Sequence, residues 1–313
     1  MYLKGSDVVI LINYYTFEYN QDVPEYIINQ IIYNEYRLQE QLYIEQNNPN
    51  EVPMSSYEEW EAFRINKQVT YIIALTNDNK LAGSICFFIN KEYSKEYYPL
   101  YILNAIHISQ FYVDPILRKN HIGSNLMNYT IQYALNHNIK TLELNTSFNN
   151  HVSQSFYKSF NYQIKSIRVF LNTTNTQVKS PIIRYDINNI LLSKIDRSLC
   201  EKINYDDKGY EITHLKDNIL SHLKNHVFGI FDFNDNINYL IWTIWKEPKS
   251  LRILDFLIDD YSIFNLNHLI RSCMTFCNNH NINNISSVIS YKDYDIYNKI
   301  GFYGKMLYLR KEL

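Results

Sequence analysis

The chain is poor in the residues that break or bend a backbone: its 313 residues include only 7 glycines and 7 prolines. That scarcity excludes collagen-like and low-complexity architectures and leaves regular helices and strands to carry the fold. Cysteine is as sparse, at 4. Cys86 and Cys200 stand alone, while Cys273 and Cys277 lie four apart in an apolar helical pattern, so no metal-ligand spacing arises and no metal is expected. Reduced thiols in a cytoplasmic protein are the simplest account. Neither sign of charge is in excess, with 30 basic against 32 acidic side chains. Such a balance leaves no electrostatic footprint for nucleic acid or anionic lipid, and neither is expected as a partner. No run approaches the about 20 apolar residues that span a bilayer, and Met1 to Asp7 lacks the charged-then-apolar plan of a signal peptide.

What is present is a long, aromatic-rich chain. Apolar residues make up 46%, and the 29 tyrosines run evenly along the sequence, which argues against a dedicated aromatic surface. The length suits two domains of roughly 150 residues each.

Periodicity gives the element order. Val8 to Tyr15 reads as a strand, and Asp22 with Pro24 opens a helix carried by Ile27, Ile28, Ile31, Ile32 and Tyr36. Ser55 and Glu58 form a capping box for a second short helix through Phe63. Val69 to Leu75 and Leu81 to Ile89, joined by Asn77-Asp78-Asn79, form a hairpin. Ile102 to Val113 is a further strand. The period then changes to that of a helix with Leu126, Met127, Thr130, Ile131, Ala134 and Leu135 on one face. Thr141 to Asn145 is a strand, Val152 to Phe160 a helix, and Ile164 to Leu171 and Ile182 to Asp186 close the set. The fold class is α/β, a mixed α+β sheet domain.

The second half repeats this order. Asn136-His137-Asn138-Ile139 ends the long helix, and Asn279-His280-Asn281-Ile282 ends a comparable one. Phe156 to Tyr162 and Ile296 to Phe302 follow at matching distances, and Phe228 to Phe233, Tyr239 to Trp245 and Leu251 to Ile258 repeat the hairpin and long strand. Two copies of one fold are expected, 1–189 and 190–313, with a boundary in the polar stretch between about Asn188 and Asp207.

The chemistry concentrates where Phe111-Tyr112-Val113-Asp114-Pro115 passes through Arg118, Lys119, Asn120 and His121 into the helix at Ile122, Gly123 and Ser124. The first N–H groups of a helix lack partners within it and sit at the positive end of its dipole, so a diphosphate can accept from several of them. Arg118 and Lys119 add charge, Gly123 permits close approach and Ser124 adds a hydroxyl.

This loop resembles the acetyl-CoA loop of the GNAT acetyltransferases, Arg/Gln-x-x-Gly-x-Gly/Ala, with Arg118 and Gly123 as matches and Ile122, Gly123 and Ser124 as in the commonly seen form. It departs from the pattern at Lys119 and His121, where glycines are usual. A second segment, Asn150 to Tyr162, resembles the family's Asn-x-x-Ala-x-x-x-Tyr-x-x-x-Gly-Phe, with Asn150 and Tyr157 as identities and Ser153, Asn161 and Tyr162 as departures. The resemblance implies acetyl-CoA as co-substrate, Asn150 as a cofactor contact and Tyr157 as the acid that protonates the departing thiolate. A phenol is protonated at neutral pH and can hand its proton to a thiolate whose conjugate acid lies near about 8.5.

Strand alternation from Ala105 to Val113 puts His107, Ser109, Phe111 and Val113 on one face. The resemblance implies that this strand splays from its neighbour to admit acetyl-CoA, with Phe111 and Val113 at the pantetheine and thioester. His107 is a candidate base, Ser109 could hold a water for it, and Glu143 is a substitute base.

In the second half the corresponding connection, Phe256 to Leu266, has no Gly, Lys or Arg and carries Asp259 and Asp260, which would repel a diphosphate. The C-terminal copy therefore reads as degenerate, structural or shaping an acceptor pocket, a tandem arrangement resembling that of mycothiol synthase-type proteins. The leading expectation is an N-acetyltransferase acting on a primary amine of a small molecule or protein. Alternatives are an acyl-CoA-binding regulator without turnover and, against the balanced charge, aminoacyl transfer from tRNA.

Overall fold

The structure, a computed structural model, describes residues 2–5, 8–18, 22–34, 69–89, 104–173, 228–233, 236–245, 250–257, 266–267, 270–271, 273–274, 277–278 and 281–313. The expected helix at Ser55 to Phe63, the strand at Ile182 to Asp186, the boundary between Asn188 and Asp207, and the acidic connection Asp259-Asp260 lie outside these residues. By contacts the described residues form two units: those up to Leu144 together with Arg310–Leu313, and those from Asn145 to Leu309.

The first unit contains β1 (Tyr2–Gly5), β2 (Val8–Phe17), β3 (Val69–Thr76), β4 (Leu81–Ile89), β5 (Ala105–Val113) and the start of β6 (Thr141–Ser147), in that spatial order. β1 through β5 pair antiparallel in succession, and β5 pairs parallel with β6. β1 was absent from the sequence reading; four residues are too few for a pattern. The β3–β4 turn puts Asn79 at φ +58°, a conformation asparagine tolerates.

One face of this sheet is covered by helix α1, described over 25–34. Val23, Ile27, Ile28, Ile31 and Ile32 pack there on Val69, Tyr71, Ile73, Leu75 and Cys86. The other face takes α2 (Ile122–Asn136), which buries Ile122, Leu126, Met127, Thr130 and Ala134. That spacing is one stripe of a 3.6-residue helix. Leu135, expected on the stripe, is 49% exposed, because its step from Leu126 and Met127 carries it past the sheet-facing arc.

The second unit holds α3 (His151–Ser159), β7 (Gln163–Asn172), β8 (Phe228–Phe233), β9 (Asn236–Trp245), β10 (Ser250–Leu257), β11 (Asn284–Ser290), α4 (Tyr294–Lys299) and β12 (Tyr303–Glu312) up to Leu309. Its strand order is β12-β7-β11-β10-β9-β8. β7, which closes the first half in sequence, pairs antiparallel along Ser166–Asn172 with β11 of the second half.

The repeat extends to local geometry. Tyr162 N–H donates to Tyr157 O at 3.2 Å, and Phe302 N–H donates to Tyr297 O at 3.1 Å. The aromatic pairs are T-shaped in both copies, at 5.8 and 5.4 Å. The turn residues Asn161 and Gly301 have φ of +64° and +100°. Ile139 N–H donates to Ala134 O, as Ile282 N–H donates to Cys277 O, each at 2.9 Å.

Candidate functional site

The site is built on β4, β5 and the N-terminus of α2, all in the first unit. Pairing of β5 with β6 covers Ala105–Ile108 against Thr141–Leu144 and goes no further. At the same point the β4–β5 register shifts: Phe87 pairs with Ile108, but Cys86 pairs with Gln110, so Ser109 is an extra residue. A bulge of this kind bends the strand and strengthens its twist, which directs β5 away from its parallel neighbour. The second half repeats the device. β10 pairs with β11 only over Ser250–Ile253, and its register with β9 shifts immediately afterwards, between Ile253 and Asp255.

The bulge corrects the expectation that His107, Ser109, Phe111 and Val113 share a face. Directly paired residues of antiparallel strands point the same way. Phe111 pairs with Ile85 and Val113 with Gly83, whereas His107 pairs with Phe88, which lies on the other side of β4. Phe111 and Val113 therefore face α2, and His107 faces α1. Inserting one residue inverts the alternation beyond it. His107 is buried, with its ring 5.1 Å from that of Phe88. Ser109 Oγ donates to Cys86 O at 3.2 Å and sits 3.4 Å from Cys86 Sγ.

Beyond Val113 the chain makes a 3-10 turn, Pro115–Leu117, capped by Asp114, whose carboxylate accepts from Ile116 N–H at 2.8 Å. Arg118 folds back so that Nε donates to Val113 O at 3.3 Å. Asn120 Nδ2 donates to Leu117 O and Arg118 O, bracing the loop. Lys119 and His121 have φ of +65° and +60°. These are the two positions where glycine was the expected residue, and the backbone keeps the left-handed conformation that glycine adopts without strain. His121 is the N-cap of α2 and makes no side-chain cap hydrogen bond, and the first turn carries no acidic residue. The first bond of the ladder is Asn125 N–H to His121 O, at 2.9 Å. The N–H groups of Ile122, Gly123 and Ser124 precede it and have no intrahelical acceptor. This helix end is electropositive, uncapped and flanked by exposed Arg118 and Lys119.

Gly83 holds that helix end against the sheet and was missed in sequence. A Cβ there would lie 2.9 Å from Tyr112 O, 3.1 Å from Leu126 and 3.2 Å from Ile122. Its signal was a glycine inside a strand of a glycine-poor chain. Tyr112, half-buried beside it, has its phenol pushed up by burial and by Asp114, against a smaller opposing effect of Arg118.

Glu143, the substitute base, is committed to an ion pair: Arg310 Nη2 and Nε donate to its Oε1 at 3.0 and 3.2 Å. Arg310 is the second residue missed, because 167 positions separate it from Glu143.

Asn150 and Tyr157 belong to the second unit. Asn150 caps α3, its Oδ1 accepting from Ser153 N–H at 3.0 Å. Tyr157 is 7% exposed and packs on Phe156 and Tyr162. Burial pushes its phenol well above the ordinary tyrosine value, so it carries its proton throughout the neutral range. Among the described residues no group of His, Cys, Asp and Glu could hold a metal ion, and no helix is long and apolar enough to cross a membrane.

Comparison with known proteins agrees with this architecture. Residues 31–162 match the model of the acetyltransferase (GNAT) family. No curated protein matches the sequence. Among solved structures, a GCN5-related N-acetyltransferase from Sphaerobacter thermophilus superposes with a TM-score of 0.55 at 9% identity, over 83% of this chain and 86% of that one. A tandem GNAT protein from the clavulanic acid biosynthesis pathway superposes at 0.51 and 10% identity, over 96% of this chain and 98% of that one. A glucosamine N-acetyltransferase region of a fungal multi-domain β-N-acetylglucosaminidase gives 0.56 at 9% identity, covering 97% of this chain and 39% of that one. The chain thus has the GNAT fold, a mixed α/β architecture shared with a tandem member, and residues 31–162 carry the match to the family itself.

Proposed function

We propose that this protein is an N-acetyltransferase that moves an acetyl group from acetyl-CoA to a primary amine, with its co-substrate site in the first half. The observation that carries the reading is the uncapped N-terminus of α2, entered through Lys119 and His121 in left-handed backbone conformation. Three N–H groups without intrahelical acceptors, no acidic residue in the first turn of the helix and two flanking cations suit a diphosphate. Arg118, Lys119, Asn120, His121, Ile122, Gly123 and Ser124 would hold it, with Phe111, Val113 and Asn150 contributing to the remainder of the molecule.

Acetyl-CoA supplies an activated thioester. The chain's own groups would withdraw a proton from the amine, through His107 or a water it orients, and return one to sulfur from Tyr157. The family resemblance supports Tyr157 in this role, as does a phenol that stays protonated. Ser109 is a weaker candidate to orient that water, since its hydroxyl is turned to Cys86. The C-terminal half, on this reading, is a non-catalytic copy, and the protein works in the cytoplasm.

The burial of Tyr157 also favours the second reading, an acyl-CoA-binding protein without turnover, because a phenol pushed up by burial gives up its proton at greater cost. Calorimetric titration with coenzyme A and thiol release from acetyl-CoA over an amine panel separate the two. Binding with amine-dependent thiol release that falls in Tyr157→Phe supports transfer. Binding without release supports the regulator, and absence of binding defeats both.

A further inference from the structure

The α1-facing side of β4 and β5 carries polar groups that the reading above does not use. The side-chain amide of Gln110 is buried, 8% exposed, and among the described residues neither its nitrogen nor its oxygen has a hydrogen-bond partner. Ser84 Oγ, 0% exposed, has none among them either. Gln110 pairs across the strands with Cys86 and Ser84 with Tyr112, so these residues occupy adjacent rows of one face. Gln110 follows the bulged Ser109, at the point where β5 leaves β6.

An unpartnered buried amide loses its bonds to water and gains nothing, so an apolar residue of the same shape would be as good or better for folding. Two such side chains side by side at a strand opening point to a partner outside the chain. Among the described residues, the register neighbours on this face are Tyr71, Ile73, Cys86, Tyr112 and, on the near side of the bulge, His107; α1 and the residue before it add Val23, Ile27, Ile28, Ile31 and Ile32, and none of these is a carboxylate, lysine or arginine. Glu143, on β6 across from His107, is already paired with Arg310. A charged ligand group would be desolvated here without compensation. A group with both a donor and an acceptor matches Gln110 at both ends and leaves Ser84 a third bond.

We propose that Gln110 and Ser84 form the acceptor's specificity site and bind a neutral amide group of the molecule whose amine is acetylated. This rests on the acetyltransferase reading, and one experiment keeps their failures apart. Gln110→Met and Ser84→Ala are compared with wild type in coenzyme A affinity, melting temperature and thiol release. The acceptors are 4-aminobutanamide, its hydrocarbon isostere 4-methylpentan-1-amine and its anion 4-aminobutanoate. Wild type is expected to prefer the amide over both others by about tenfold or more in kcat/KM. Gln110→Met is expected to lose that preference through KM, with unchanged coenzyme A affinity and an equal or higher melting temperature.

A lowered melting temperature in Gln110→Met would mark Gln110 as structural and overturn the proposal. Equal rates for the three amines, or no turnover of the amide, would overturn it as well. Absence of coenzyme A binding by wild type would instead defeat the underlying reading.

Discussion

Arg310, on the last strand of the chain, donates two hydrogen bonds to Glu143, which is 4% exposed and lies directly across from His107 in the parallel β5–β6 pairing. The carboxylate beside the candidate base is thus held by a residue from the far end of the sequence. Removing Arg310 takes both guanidinium hydrogen bonds from a buried carboxylate, and breaking a buried pair in this way costs about 3–5 kcal/mol. Arg310→Met is expected to lower stability by that amount in urea denaturation, and adding Glu143→Leu to recover most of it. An additive double mutant would disprove the coupling.

Lys119 and His121 adopt a backbone conformation that a side chain disfavours by roughly 1–2 kcal/mol. Lys119→Gly and His121→Gly are each expected to raise stability by about 1 kcal/mol, less the greater freedom glycine gives the unfolded chain. His121→Gly keeps the backbone N–H groups of the loop and removes only the imidazole, so coenzyme A affinity is expected to fall by no more than about tenfold. Denaturation and calorimetry check both, and a large loss of stability would contradict the left-handed loop.

Gly83→Ala inserts a methyl against Tyr112 O, Leu126 and Ile122, the contacts that seat α2 on the sheet. Overpacking there is expected to cost about 1–3 kcal/mol and to weaken coenzyme A binding by moving the helix N-terminus. Retained affinity at wild-type stability would mean the helix is not held as described.

Several buried proton donors set an alkaline limit on stability. Burial pushes the Tyr157 and Tyr162 phenols and the Cys273 thiol up, and the Cys277 thiol to about 12. In the unfolded chain thiols ionise near 9.0 and phenols near 10.0. Above those values the folded state binds more protons than the unfolded one, so the stability these groups contribute is complete below about pH 9 and falls as pH rises. Melting temperature measured from pH 7 to 11 is expected to decline from about pH 9. Cys277→Ala and Tyr162→Phe should each flatten the decline, and unchanged slopes would refute their part in it.

Much of this protein is legible locally. A hairpin is written by alternating residues on either side of Asn77-Asp78-Asn79, and α2 by the stripe through Leu126, Thr130 and Ala134. The strand-to-helix loop reads as an anion site from Arg118 to Ser124 because helix ends expose N–H groups whatever lies further off. Each of these depends on neighbours within a few residues. The repeat is equally visible, because its markers are local turns at Asn138 and Asn281.

Other features depend on which distant strand lies alongside, and no local pattern carries that. The extra residue at Ser109 exists only relative to β4, yet it turns His107 away from Phe111 and Val113. β7 ends the first half in sequence but pairs with β11, and Arg310 meets Glu143 across most of the chain. The sequence alone determined the β3–β4 hairpin, the strands and helices from β5 to α3 with their order, and the electropositive helix end, whose causes are short-range, while four-residue β1 carries no pattern. Tertiary structure alone decided strand partners, the face each side chain takes beyond the bulge, and which buried charges and amides find company, since those follow from pairing between residues far apart in the chain.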